Sequence, residues 1–273
     1  MLEHRSSLVL PAFVGIALLL SAPAEAAKVK VNVRVENLAP VNSVSFAPLR
    51  FGFNKGTFDA FNSGAVATAP IISVAEGGSG SAWLPAFAAA DPKAVIGSTA
   101  GPLFPGASQT LSFLVDTAQN PYFTFAAMVI PSNDFFIGND DPMEYRLFDS
   151  AGKLLISSIG QTAGDIWNAG SEAFDPKNAA FLVGGNNDLR TPEHGVVGLN
   201  FSELSGFDGL TTAAGYVFHS GLSAGTEVYR ISFTSTGVPE PETWSLMIAG
   251  FATIGMVARR RARRPGMALN PAT

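Results

Sequence analysis

Regular patterning begins at Lys28, where Val29, Val31, Val33 and Val35 alternate with Lys28, Lys30, Asn32, Arg34 and Glu36. Successive side chains of a strand point to opposite faces, so this period of two predicts a half-buried first strand. Leu111, Phe113 and Val115 repeat the alternation, as do Tyr229, Ile231 and Phe233 near the end. Tyr122–Ile130 is a near-continuous apolar run that reads as a central strand. Arg146–Phe148 and Leu154–Ile156 flank Asp149-Ser150-Ala151-Gly152-Lys153, a hairpin turn with Gly152 available for the positive-φ position. Helical patterning is weak. Ala65–Ala75 and Ser81–Ala90 are the best candidates, separated by the breaker Gly77–Gly80. Phe123, Phe125, Phe135 and Phe136 read as packing between sheets. No repeat of fixed period is present. The pattern predicts an all-β, antiparallel β-sandwich over residues 28–236, a length that suits one domain.

The two ends follow different rules. Residues 1–26 have the grammar of an export signal: Arg5 in the n-region, the apolar stretch Leu8–Leu20, and a small-x-small cleavage site at Ala24-Glu25-Ala26. At the other end, Val238-Pro239-Glu240-Pro241-Glu242 precedes the uncharged stretch Trp244–Ala258, and five arginines follow between Arg259 and Arg264. Fifteen helical residues rise roughly 22 Å, short of a hydrocarbon core of about 30 Å. Snorkelling arginines and an interfacial Trp244 extend such a span, and the arginines fix its end on the cytoplasmic side. In this order, the Pro-Glu-Pro tripeptide, the apolar span and the arginine run resemble the PEP-CTERM sorting signal of Gram-negative bacteria, over residues 238–264. The resemblance implies an exosortase, a membrane transpeptidase-like protease, as processing partner near Pro239, Glu240 and Pro241. It also implies transient anchoring in the inner membrane, then delivery to the cell surface or an exopolysaccharide matrix.

Composition narrows the chemistry of what lies between. Charged residues make up 14% of the chain, and there is no cysteine. Average proteins carry about 25% charged residues, so this is not the composition of a solvated disordered chain. The missing cysteines exclude disulfides, thiolate zinc sites and a cysteine nucleophile. Setting aside Arg5 and the five tail arginines leaves 11 of 17 basic residues; setting aside Glu3, Glu25, Glu240 and Glu242 leaves 18 of 22 acidic ones. The resulting charge of −7 over the central domain suits cations better than phosphate backbones, and argues against nucleic acid as a partner.

Several motif matches do not survive their context. Gly221-Leu222-Ser223-Ala224-Gly225 fits the hydrolase elbow G-x-S-x-G, but the next segment reads as a strand, and no histidine follows Ser223. His194 and His219 lack metal-type spacing. Asp140 and Asp141 are neighbours in sequence, which does not create the opposed carboxylates of a glycosidase. Asn200-Phe201-Ser202 fits a glycosylation sequon, which carries no weight in a bacterium.

What stands out is an acidic stretch. Asp134, Asp140, Asp141, Glu144, Asp149, Asp165, Glu172 and Asp175 fall within 42 positions that hold only Arg146 and Lys153 as basic residues. Like charges on adjacent loops repel unless they are separated, solvated or bridged by a cation. The residues themselves leave two readings open: a calcium site built from hard oxygen ligands, or wet loops closed by Asx turns.

Met128-Val129-Ile130-Pro131-Ser132-Asn133-Asp134-Phe135-Phe136-Ile137-Gly138 is similar to a strand-loop signature of the spondin N-terminal domain, Pro-Ser-x-Asp followed by an aromatic residue and a Gly. Trp167-Asn168-Ala169-Gly170-Ser171-Glu172 resembles that family's aromatic-Asp-Ala-Gly-x-Asp loop. Phe46-Ala47-Pro48-Leu49, with Phe58, Gly64 and Ala75-Glu76-Gly77-Gly78, resembles its N-terminal block. The resemblance spans roughly 28–236. It implies an eight-stranded antiparallel sandwich resembling calcium-dependent lipid-binding domains, with Ca²⁺ held by loop carboxylates at one end. Asp134 matches the first carboxylate ligand. Asn168 and Glu172 stand where the family commonly has Asp; Asn offers a neutral carbonyl and Glu a longer carboxylate. The loss of one charge at Asn168 weakens such a site. Backbone carbonyls near Asp165–Ile166 are further ligands on this reading. The cysteines of the animal members are missing here, as are their thrombospondin-type repeats.

The expectation is therefore an exported, non-enzymatic calcium-binding adhesion or matrix module whose partner is exopolysaccharide, lipid or another surface protein. Two alternatives stand beside it: a secreted hydrolase of exopolysaccharide using carboxylates of the same loops, and a structural matrix protein without a metal site.

Overall fold

A computed structural model of the chain describes residues 28–237, together with Phe251, Ile254 and Arg259, which are helical. The export segment 1–26 and Pro239-Glu240-Pro241 lie outside the described residues, as does the 244–258 stretch apart from Phe251 and Ile254. Among the described residues no helix is long and apolar enough to cross a membrane.

The chain is mostly β, in antiparallel sheets, with few helices. Among the described residues, eight of eleven strands have four residues or more: β1 (Lys28–Asn37), β3 (Arg50–Asn54), β4 (Val95–Ser98), β5 (Ser108–Asp116), β6 (Tyr122–Ile130), β7 (Phe135–Gly138), β8 (Ser158–Thr162) and β11 (Glu227–Gly237). Three more have two residues each: β2 (Ser45–Phe46), β9 (Trp167–Asn168) and β10 (Gly198–Leu199). One sheet has the order β5-β1-β11-β8; the other runs β10-β9-β7-β6-β3-β4, with β2 pairing β6.

The alternating valines do what their spacing dictates. Val31, Val33 and Val35 are fully buried, while Lys28, Lys30 and Arg34 on the other face are exposed. They face the second sheet across a common core, where Phe123 meets Phe233 (ring centroids 4.9 Å apart) and Phe46 meets Tyr229 (4.6 Å). The apolar run of β6 is buried from Phe123 to Ile130, because its other face is covered by a helical layer at Ala126 and by Ala47 and Ala180 at Met128 and Ile130. α1 (Ala69–Gly77) lies over β6 and α2 (Trp83–Ala90) over β3 and β4, and Trp83 and Phe87, four residues apart on one stripe, are fully buried. Gly52 in β3 makes room for them: a Cβ there would sit 2.5 Å from Phe87 Cζ.

Helix α1 starts later than the apolar pattern predicts. Residues 64–65 are held instead by Val197, through Gly64 N–H to Val197 O (2.8 Å) and Val197 N–H to Ala65 O (2.8 Å). Thr68 then caps the helix by accepting from Ile71 N–H, a Pro sits in the first turn, and Gly78 ends the helix at φ 58°. The 149–153 turn forms with Gly152 at φ 76°, but its flanks pair only through a bridge between Phe148 and Leu154.

The first and last strands pair at the centre of their sheet, with Val29 opposite Gly237 and Asn37 opposite Tyr229. Both ends of the domain therefore leave from one pole. The loops after β1 and β6 gather at the other pole, about 30 Å away along a ten-residue strand.

Candidate metal centre

Asp134 sits in the short connection between β6 and β7, at the pole opposite the chain ends. Ser132 shapes the turn: its Oγ donates to Val129 O (2.5 Å) and accepts from Phe135 N–H (3.2 Å). Phe135 is buried in the core between the sheets, as the sequence predicts, whereas Phe136 points to the other face of its sheet and packs on Phe61 in the cluster under the helices. Asp134 itself is 1% exposed. Its Oδ2 accepts from Ser171 N–H (2.8 Å), Glu172 N–H (3.0 Å) and Ser171 Oγ (3.3 Å), and its backbone carbonyl accepts from Ala169 N–H (3.1 Å). Oδ1 receives no hydrogen bond from the described residues. Burial pushes the Asp134 carboxyl up to about 6; the two backbone N–H groups pull it down, and the charge of Glu193 pushes it further up.

Asn168 lies in β9, paired with Phe135 of β7. Its Oδ1 accepts from Gly170 N–H at 2.5 Å, an Asx turn that leads into Ser171 and Glu172. Gly170 is required twice over. Its φ is 62°, and a Cβ would lie 2.6 Å from Val196 N and 2.7 Å from Val196 O.

Glu172 reaches the same loop cluster through its backbone, but its carboxylate turns elsewhere. Oε1 accepts from Asn133 Nδ2 (3.2 Å) and Oε2 from Arg190 Nη1 (2.9 Å), with the Glu172 side chain fully buried. Arg190 also holds Glu76, with Nε 3.3 Å from its Oε2. Burial raises the Glu172 carboxyl despite Arg190 and Asn133, which pull it down. The acid whose field reaches Asp134 is Glu193, an exposed residue brought near by the bridge between Glu172 and Pro192. Nothing in the local pattern of Pro192-Glu193-His194-Gly195 marks Glu193.

Asp134, Asn168 and Glu172 thus belong to one cluster of loops, with one carboxylate oxygen of Asp134 free for a further ligand. Asn168 Oδ1 keeps a second lone pair beside its bond to Gly170. The carbonyl of Ile166, next to this loop, accepts from Asn200 N–H at 3.0 Å. Among the described residues, no three or more His, Cys, Asp or Glu side chains converge as a metal-holding group. A cation here would depend on Asp134, neutral oxygens and whichever of Glu172 or Glu193 turns toward it.

The other acids of the stretch are mostly turn-formers. Asp141, Asp149 and Asp175 each accept the N–H two residues ahead, at 2.8, 2.9 and 2.9 Å. Asp165 Oδ2 accepts from Thr162 N–H (2.8 Å) and Oγ1 (2.7 Å). Asp140 accepts from Ser63 N–H (3.1 Å) across two loops. At the elbow-like sequence, Ser223 N–H donates to Thr226 Oγ1 (3.1 Å) in a turn that opens directly into β11. His219 is exposed and lies 3.5 Å from Asp208, while His194 is an exposed residue at φ 61°.

No curated protein matches the chain. At its C-terminal end, residues 237–264 match the family model of the PEP-CTERM protein-sorting motif, which implies exosortase-type sorting to the cell surface in a Gram-negative bacterium and starts at the last residue of β11.

Proposed function

We propose that the chain is a non-enzymatic, calcium-binding adhesion or matrix module of the spondin N-terminal type, delivered to the surface by its sorting motif. One observation carries the metal reading. Asp134 is a buried carboxylate with Oδ2 fixed by backbone N–H groups and Oδ1 left without a protein partner. A charge this deeply buried is costly without a counter-ion, and a hard divalent cation is the ligand that suits it. Asp134 is the anchor of the shell, Asn168 its neutral oxygen, and Glu172 joins by exchanging Arg190 for the cation. The eight longer strands and the blocks around Pro131-Ser132-Asn133-Asp134 and Ala169-Gly170 support the family reading.

Calorimetric titration of the full chain with CaCl₂ tests it. Saturable binding below millimolar Ca²⁺, lost in Asp134→Ala, is the expected result. Heat indistinguishable from dilution, with an unchanged melting temperature, selects the structural matrix protein without a metal. A second reading, hydrolysis of exopolysaccharide, draws on Glu144, whose carboxyl is raised by burial and then by Asp141, Asp140 and Asp165. Release of reducing ends that disappears in Glu144→Gln would select that reading.

A further inference from the structure

The pole opposite the chain ends carries a second feature, separate from the acidic loops. Val41, Asn42, Phe104, Pro105, Ala214 and Tyr216 line an open cleft of about 320 Å³. Buried Asn37 positions two of its walls: its Nδ2 donates to Val44 O (2.9 Å) and Leu103 O (2.9 Å), and its Oδ1 accepts from Ala39 N–H (2.9 Å). The third wall is fixed by the Tyr216 hydroxyl, which donates to Ser43 O (3.0 Å) and lies 3.1 Å from Ser45 Oγ. Apolar surface stays open there: Val41 is 83% exposed and Phe104 39%.

Backbone strain sits at the same place. Phe181 has φ 68°, and its ring centroid lies 6.0 Å from that of Phe104. A left-handed conformation is an outlier for a bulky side chain, and such residues gather at ligand-binding sites when the surroundings enforce them. Here Ala213 N–H donates to Phe181 O (2.8 Å) and Ala180 N–H to Ser132 O (2.9 Å), which hold the strained residue from both sides. Asn42, also left-handed at φ 63°, accepts from His219 N–H (3.0 Å) through its backbone carbonyl, and its side-chain amide makes no hydrogen bond among the described residues.

We infer that this cleft binds a segment of an uncharged polysaccharide. No lining residue carries a charge near neutral pH, in a domain whose net charge is −7, so the lining suits a neutral ligand and the wider field disfavours an anionic one. Aromatic and aliphatic surface beside a free amide matches a sugar ring, which offers an apolar C–H face rimmed by hydroxyls. The openness of the cleft allows a chain to pass through, where a buried lipid tail needs an enclosed tunnel. This inference stands apart from calcium: none of the lining residues belongs to the Asp134 cluster.

Affinity electrophoresis of the full chain in a sugar-free non-ionic detergent tests it, with gels containing dextran, mannan, xyloglucan or the anionic polysaccharide alginate. The expected result is at least a twofold loss of mobility in one or more neutral gels, none in alginate, and no change on adding EDTA. Val41→Asp and Phe104→Ala should abolish the retardation; Val41 is so exposed that its replacement leaves the fold intact. Normal mobility in all three neutral gels overturns the inference, as does retardation in alginate alone. Retardation that both variants retain, or that EDTA removes, overturns it equally, the latter by moving the contact to the metal loops.

Discussion

Asp134 and Glu172 are joined in one direction only: Asp134 Oδ2 accepts the backbone N–H of Glu172 at 3.0 Å, while the carboxylate of Glu172 points away to Arg190 at 2.9 Å. Two buried acids are thereby kept apart, one held by main-chain dipoles and the other by a guanidinium. Whether a cation unites them is an energetic question about Arg190, and it can be asked directly.

Replacing Arg190 by Gln removes the competitor for Glu172. Calcium affinity measured by calorimetry should rise several-fold, because Glu172 becomes available to the shell. Without calcium the variant should lose about 2 kcal/mol in urea unfolding, since a buried carboxylate is left without its partner. Unchanged affinity would remove Glu172 from the ligand set.

The raised carboxyl of Asp134 fixes a pH dependence. Its folded value of about 6 lies above the ordinary 3.8, so between these values the folded state holds a proton that the unfolded state has released. Calcium-free stability should therefore fall as pH rises from about 4 to 6, by up to about 3 kcal/mol from this group. Asp134→Asn keeps the acceptor and removes the charge; it should stabilise the calcium-free protein at pH 7 by about 2 kcal/mol, with the gain vanishing near pH 4. Thermal melts across this range check the sign.

Calcium binding should run the other way. A ligand must be deprotonated to hold the metal, so the association constant should drop about tenfold per pH unit below 6. A flat profile from pH 5 to 7 would exclude Asp134 as the titrating ligand.

Gly170→Ala meets two obstacles, a positive φ and backbone atoms of Val196 within 2.7 Å of the new Cβ. A destabilisation of about 2–4 kcal/mol is expected, with loss of whatever the loop binds. Gly209, also at positive φ but with nothing within 4 Å, is the control: alanine there should cost about 1 kcal/mol.

Much of this architecture can be read from local chemistry. The valines of β1 alternate because one face is wet, and the β6 run is continuous because α1, Ala47 and Ala180 cover its second face. The start of α1 is legible too, in Thr68 and the Pro that follows shortly after, although hydrophobicity alone places it several residues early. Loop partnerships are a different matter. Arg190 and Glu193 lie 18 and 21 positions beyond Glu172, in a segment with no periodicity, and their roles arise from tertiary folding of the 173–197 loop. The cleft escapes sequence reading for the same reason: Val41, Phe104 and Tyr216 come from three distant connections.

The pairing of β1 with β11 also sets how the molecule carries load. A protein held through the chain beyond Gly237 and pulled by a ligand at the far pole is stretched along the axis of β11. Nine paired positions between Val29 and Asn37 then resist together in shear, and cannot open one at a time like a zipper. A tether at the opposite end of β11 would peel the strand away bond by bond, so a hold through the chain beyond Gly237 loads β11 in its stronger direction.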